Sequence, residues 1–81
     1  MKFHYVYMIR SRANPERYYV GMADDLDERL KKHNSGLCKY TATLVPWHIE
    51  TAIAFSSKER ASAFEKYLKS HSGKAFISKH F

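Results

Sequence analysis

Apolar and polar residues alternate along Phe3-His4-Tyr5-Val6-Tyr7-Met8-Ile9-Arg10. At a period of two, Phe3, Tyr5, Tyr7 and Ile9 share one face of a strand, and Val6 and Met8 share the other. Apolar residues on both faces predict an inner strand, covered on both sides. Asn14-Pro15 punctuates a polar loop from Ser11 to Glu16, and Arg17 to Met22 returns as a second strand. The pair is predicted to form an antiparallel hairpin with a longer loop. The period then changes. Leu26 and Leu30 form the apolar stripe of a helix running from about Asp25 to Ser35. Asp24 and Asp25 offer N-caps, Asp25 with Glu28 makes an acidic variant of the capping box, and Gly36 is the stop signal. Leu37 to Pro46 follows neither period and reads as an ordered loop over the surface, with Trp47 as a core anchor ahead of a stacking platform.

The third strand is expected over His48 to Phe55, with Ile49, Thr51, Ile53 and Phe55 facing one way. Ser56 with Glu59 reads as a capping box for a second helix that runs to about Ser70. Ala61, Phe64 and Leu68 form its buried stripe, with Tyr67 beside them. Ser72-Gly73 ends or restarts the chain, and Lys74 to Phe81 is expected as a short last helix packing Phe76 and Ile77. These patterns predict an antiparallel sheet of three strands with Leu26, Leu30, Phe64 and Leu68 buried against it. No repeat, low-complexity segment or linker divides the chain, so residues 1–81 read as one small domain.

Charge narrows the partners. Fourteen Lys and Arg against eight Asp and Glu leave a net charge of +6. That favours an anionic partner, nucleic acid first and a membrane surface second; a basic solvated surface is the bland alternative. The single cysteine, Cys38, excludes an internal disulfide and argues against a cysteine-based zinc site. Met1-Lys2-Phe3-His4-Tyr5 carries no signal-peptide pattern and no apolar run is long enough to cross a bilayer, so the expected location is the cytoplasm and no membrane partner is expected.

Several residues carry more chemistry than the fold requires. On the first helix Arg29 and His33 stack one turn apart at the edge of the apolar stripe. Gly21, beside Tyr19 and Val20, suits a strand approached closely by something else, such as a substrate backbone. Glu65 flanks the buried stripe of the second helix, next to Ala61 and Leu68, where a carboxylate is partly desolvated unless a cation meets it. Each has a structural account. Arg29 can pair with Asp25, His33 can complement the helix dipole when protonated, Glu65 can pair with Lys69 or Arg29, and the tyrosines can be core aromatics. As a group, two Tyr, an Arg, a His and a Glu suggest a site.

Tyr5-Val6-Tyr7, Tyr19-Val20-Gly21, Arg29 and His33 on one helix and Glu65 on a later one resemble, in that order and spacing, the GIY-YIG nuclease superfamily. The first tripeptide departs from Gly-Ile-Tyr at two positions and keeps the Tyr; the second departs from Tyr-Ile-Gly only by Val for Ile. His33-Asn34-Ser35-Gly36, Lys39-Tyr40-Thr41 and Lys69 to Phe76 look like the small stand-alone bacterial members, often labelled excinuclease-subunit-like or uncharacterised. The resemblance covers the whole chain. It implies an α/β (α+β) fold, a three-stranded antiparallel sheet flanked by helices. It also implies a DNA endonuclease that hydrolyses phosphodiester bonds with one divalent ion, Mg²⁺ or Mn²⁺.

By the same resemblance Glu65 is the metal ligand and Arg29 steadies the scissile phosphate. Tyr7 and Tyr19 position the attacking water and take its proton, and His33 assists them. Some members carry an Asn after the Glu; none stands there in this chain. The expectation is one concave pocket lined by all five residues. Arg29 and Glu65 on opposite sides of the sheet would defeat that pocket without any assay. Lys31, Lys32, Lys39, Tyr40, Lys69 and Lys74 are the expected nucleic-acid contacts, to DNA or RNA. Two alternatives stay open: a nuclease-derived binding module with little turnover, and a protein-interaction domain. A domain this small leaves sequence specificity to DNA shape, to a homodimer or to a larger protein partner.

Overall fold

The computed structural model describes residues 2–81. Strand β1 (His4–Ser11) sits in the middle of a three-stranded antiparallel sheet, between β2 (Tyr18–Ala23) and β3 (Trp47–Phe55). Its central place follows from its two apolar faces, since each must be covered. Helix α1 (Leu26–Asn34) covers one face, where Leu26 and Leu30 pack with Tyr7, Ile9, Ala23 and Trp47. Helices α2 (Lys58–Lys69) and α3 (His71–His80) cover the other, where Ala61, Leu68 and Ile77 pack with Val6, Met8 and Val20. Phe64 is half-buried against this second cluster, within 5.6 Å of Phe55 between ring centroids. The result is an α+β fold of three layers with two separate apolar cores.

Local signals explain where the elements stop. Asp25 caps α1, its carboxylate accepting the Glu28 amide at 3.1 Å. Past the helix Gly36 takes φ +80°, a conformation that favours glycine and ends the helix there. Two of the expected boundaries shift. The cap of α2 is Ser57, one residue later than expected, and its hydroxyl accepts the Arg60 amide. Ser72-Gly73 is not the break between the last helices. Ser70 closes α2 and caps α3 with the same side chain. Gly73 lies inside α3 because a Cβ there would collide with the Tyr67 carbonyl and Leu68 backbone. Two helices meeting this closely need a residue without a side chain.

The third strand departs from simple alternation. Met8 pairs with Thr51 but Ile9 pairs with Ile49, so Glu50 is an extra residue, a β-bulge. The bulge turns Ile49 to the α1 face with Tyr7, Ile9 and Trp47, while Thr51 and Ile53 stay opposite Met8 and Val6 on the other face. The expected single face for Ile49, Thr51, Ile53 and Phe55 is therefore corrected. Glu50 itself accepts a 2.8 Å hydrogen bond from Arg10 at the surface. The segment after α1 carries a short 3₁₀ turn, Ala42–Leu44, and is pinned to the hairpin by Ser11 Oγ donating to the Leu44 carbonyl at 2.6 Å. Trp47 is buried, as expected of a core anchor, and so offers no stacking surface.

Candidate active site

Register on β1 and β2 fixes the first part of the site. Tyr7 opposes Gly21 and Ile9 opposes Tyr19, so Tyr7 and Tyr19 project to the same face, the one under α1. The Tyr7 ring lies across Gly21, where a Cβ would clash with the phenol oxygen. Gly21 thus makes room for Tyr7 and not for a substrate backbone, a correction to the sequence reading. The Tyr7 hydroxyl meets His33 Nε2 at 2.9 Å, and His33 Nδ1 meets Thr41 Oγ1 at 2.9 Å. The Tyr19 ring stands 5.1 Å from the His33 ring.

Helix periodicity brings Arg29 to the same place, one turn before His33. It does not pair with Asp25; its Nη1 donates to the Met22 carbonyl of β2, at 3.2 Å. Burial pushes the Tyr7 phenol up to about 12, against the pull of the Arg29 guanidinium beside it. Burial, with help from Arg29, holds His33 below its usual value. His33 is therefore a neutral, buried ring and not a cation serving the helix dipole.

Glu65 comes from the other layer. Arg29 and Glu65 belong to helices on opposite faces of the sheet, and none of the grooves along β2 is lined by all five expected residues. What can join them is the position of β2 at the sheet edge, where side chains from both layers emerge. One groove of about 300 Å³ is lined by Met22, Ala23, Asp24, Asp25, Glu28 and Arg29 from the β2–α1 side and by Lys58 from α2, so three carboxylates face two cations there. A second, of about 560 Å³, is lined by Tyr18, Tyr19, Tyr40, Leu68, Lys69 and Lys74. At ~100° per residue, Lys58, Glu65 and Lys69 fall within about 40° of one another on α2, so Glu65 faces the edge between the two grooves.

The Glu65 carboxylate is half-buried and accepts from Lys69 Nζ at 3.2 Å, and that ammonium stands 5.6 Å from the centre of the Tyr19 ring. The salt bridge foreseen as the plain account of Glu65 is thus present, and it connects Glu65 to Tyr19. Among the described residues no three His, Cys, Asp or Glu side chains gather to hold a metal. A single carboxylate such as Glu65 is the kind of ligand a hard divalent ion takes when it keeps most of its waters.

The other expected contacts divide. Lys69, Lys74 and Tyr40 share the second groove, with Tyr40 6.0 Å from Tyr19 between ring centroids. Lys39 is exposed beside Tyr40 in the loop, and Lys31 and Lys32 are exposed at the end of α1, lining neither groove. Periodicity gave no sign of three further residues. Thr41 sits behind His33. Asn34 brackets the Trp47 backbone, accepting its N–H and donating to its carbonyl at 3.1 Å. Lys58 brings a cation to the Arg29 groove. A polar residue at the last turn of α1 and a Thr in an aperiodic loop carry no pattern that marks them.

Known proteins bear on this arrangement. A family model described as the GIY-YIG catalytic domain matches residues 3–79. The chain belongs to the GIY-YIG family. A UPF0213 protein of Halalkalibacterium halodurans is 39% identical over 67 residues, 82% of this chain and 69% of the relative. A UPF0213 protein of Streptococcus pneumoniae is also 39% identical over 67 residues, covering 82% of this chain and 68% of that one. The solution NMR structure of a UPF0213 protein from Bacillus halodurans superposes with a TM-score of 0.56 at 35% identity, covering 95% of this chain and 83% of that chain. The GIY-YIG chain described here therefore shares its sheet-and-helix arrangement with a UPF0213 fold. GIY-YIG nucleases generally use a divalent metal, and the family supports a nuclease-type function and nucleic-acid binding.

Proposed function

We propose that this GIY-YIG chain is a metal-dependent endonuclease that hydrolyses DNA phosphodiester bonds along the β2 edge. The observation that carries the reading is the hydrogen bond from Tyr7 to His33 with the Arg29 guanidinium beside it. Arg29 offers a planar fork of donors for the non-bridging oxygens of a phosphate, where charge builds as the bond breaks. Burial keeps Tyr7 a phenol in the free site; a bound cation would favour its ionisation, and His33 Nε2, 2.9 Å away, is the base placed to take the proton. Tyr19, between His33 and Lys69, orients the water or the phosphate. Glu65 would hold the ion, Mg²⁺ or Mn²⁺, which when bound polarises the phosphate and stabilises the leaving oxygen. For that, Lys69 leaves Glu65 and turns to a phosphate. Lys74 and Lys39 extend the cationic path, and Tyr40 gives a base a ring to stack on.

Two observations favour a second reading. Lys69 occupies Glu65, and burial of Tyr7 outweighs the pull of Arg29, which together suit a binding module that retains the residues without turnover. Incubation of supercoiled plasmid with the protein and Mg²⁺ or Mn²⁺, with EDTA as control, separates the two. Metal-dependent nicking is the expected result. Binding without nicking in either metal supports the module.

A further inference from the structure

Thr41 lies in the aperiodic segment after α1, yet it is completely buried. Its backbone is held on two sides. The Trp47 indole donates to its carbonyl at 3.0 Å, and its own N–H donates to the Cys38 carbonyl at 3.1 Å. Its hydroxyl has two neighbours: His33 Nδ1 at 2.9 Å and the Cys38 carbonyl at 3.4 Å.

Counting donors and acceptors orders the hydrogens. The buried Tyr7 hydroxyl has His33 Nε2 as its hydrogen-bond partner, and the nearby Arg29 guanidinium can only donate, so Nε2 is the one acceptor for the phenolic hydrogen. Its proton therefore points to Nε2, which must be bare. A neutral imidazole with a bare Nε2 carries its hydrogen on Nδ1, and Nδ1–H donates to Thr41 Oγ1. The Thr41 hydroxyl hydrogen then goes to the Cys38 carbonyl. Every member donates once, in one direction, from the phenol to the loop carbonyl.

We propose that Thr41 is a positioning residue that holds His33 as the Nδ1–H tautomer, so that Nε2 stays open to the phenolic proton of Tyr7. The inference rests on the reading of Tyr7 and His33 as part of a hydrolytic site. In the step it serves, the O–H bond of Tyr7 breaks and an N–H bond forms at Nε2. The products are a phenolate, which accepts from Arg29, and an imidazolium, which still donates through Nδ1 to Thr41. The phenolate takes a proton from the attacking water, which restores the phenol. The net movement is one proton from water to His33. With no acceptor at residue 41 the other tautomer is favoured. Nε2–H then donates to the Tyr7 oxygen, and the phenolic proton has no taker.

The test reads the ring nitrogens of His33 by ¹⁵N NMR at a pH where the ring is neutral, assigned against His33→Gln. The wild type is expected to show a protonated Nδ1 and a bare Nε2. Thr41→Ser keeps that signature, and Thr41→Val moves it toward the Nε2–H form. Nicking by Thr41→Val should fall by about tenfold or more, a share of the roughly 10²–10⁴-fold that a positioned acid–base group contributes. The KM for DNA stays unchanged, and Thr41→Ser restores the rate. A wild-type ring protonated on Nε2 overturns the proposal without any variant, as does an unchanged tautomer in folded Thr41→Val. Should the wild type prove unable to cut DNA, the tautomer shift still supports the role of Thr41, and only the nuclease reading falls.

Discussion

Burial and a neighbouring charge pull the Tyr7 hydroxyl in opposite directions, and burial wins, leaving its pKa about 12. The same residue explains Gly21. Any Cβ at that position runs into the phenol, so Gly21→Ala must displace the Tyr7 ring from His33. Overpacking of this kind costs about 1–3 kcal/mol. Thermal unfolding of Gly21→Ala should show that loss, together with loss of the Tyr7–His33 hydrogen bond by NMR. A fully stable variant with that bond intact would mean that the ring moves freely. His33 gives a pH prediction whose sign follows from its depressed pKa. As pH falls through the ordinary histidine value of 6.5, the unfolded chain binds a proton that the folded one resists. Stability is thus lost toward acid and regained toward neutral pH. His33→Gln should flatten the melting profile between about pH 5 and 7 relative to wild type; parallel profiles would remove His33 as the source.

At the level of elements, the periods of two and of about 3.6 were enough to read three strands and the helices, because burial on one or two faces dictates them. The two tyrosines on one face, and Arg29 and His33 one turn apart, were legible for the same reason. The bulge at Glu50 was not. One inserted residue leaves Ile49, Thr51 and Ile53 looking like a continuous alternation, and only the partner strand reveals the shift. Nor could alternation tell that α1 and α2 cover opposite faces, because either layer satisfies an apolar stripe. The single pocket expected for the five residues failed on that point, and the edge strand β2 took its place. Deleting Glu50 tests the bulge. It leaves Ile49 opposite Ile9 and Trp47 opposite Ser11, both still on the α1 face, and removes the surface partner of Arg10, worth about 1 kcal/mol or less. The deletion variant is expected to melt close to wild type. A melting temperature far below wild type would show that Glu50 is not simply an extra residue in the ladder.

Across the whole molecule, the net charge of +6 is unevenly shared along the β2 edge: Lys69 and Lys74 make one groove cationic, while Asp24, Asp25 and Glu28 outnumber Arg29 and Lys58 in the other. Composition points to an anionic partner and the family suggests nucleic acid; the clustering of Lys69, Lys74 and Tyr40 beside Tyr19 needed the packing of α2 and α3 around the edge strand. Binding to short DNA should weaken steeply as salt rises, because each neutralised phosphate releases counterions. Replacing Lys69 and Lys74 by Ala should lower the slope of log K against log salt by about one unit per lysine that touches a phosphate. An unchanged slope would put the DNA path elsewhere.

The most direct test of the hydrolytic edge is the rate of metal-dependent plasmid nicking by Glu65→Ala and Arg29→Ala, measured beside their melting temperatures. The account predicts that each change lowers the rate by on the order of 100-fold or more while the melting temperature stays close to wild type, because both side chains serve the transition state more than the fold. Nicking at the wild-type rate by either variant would contradict it, and so would unfolding of either, which would leave Glu65 and Arg29 as structural residues.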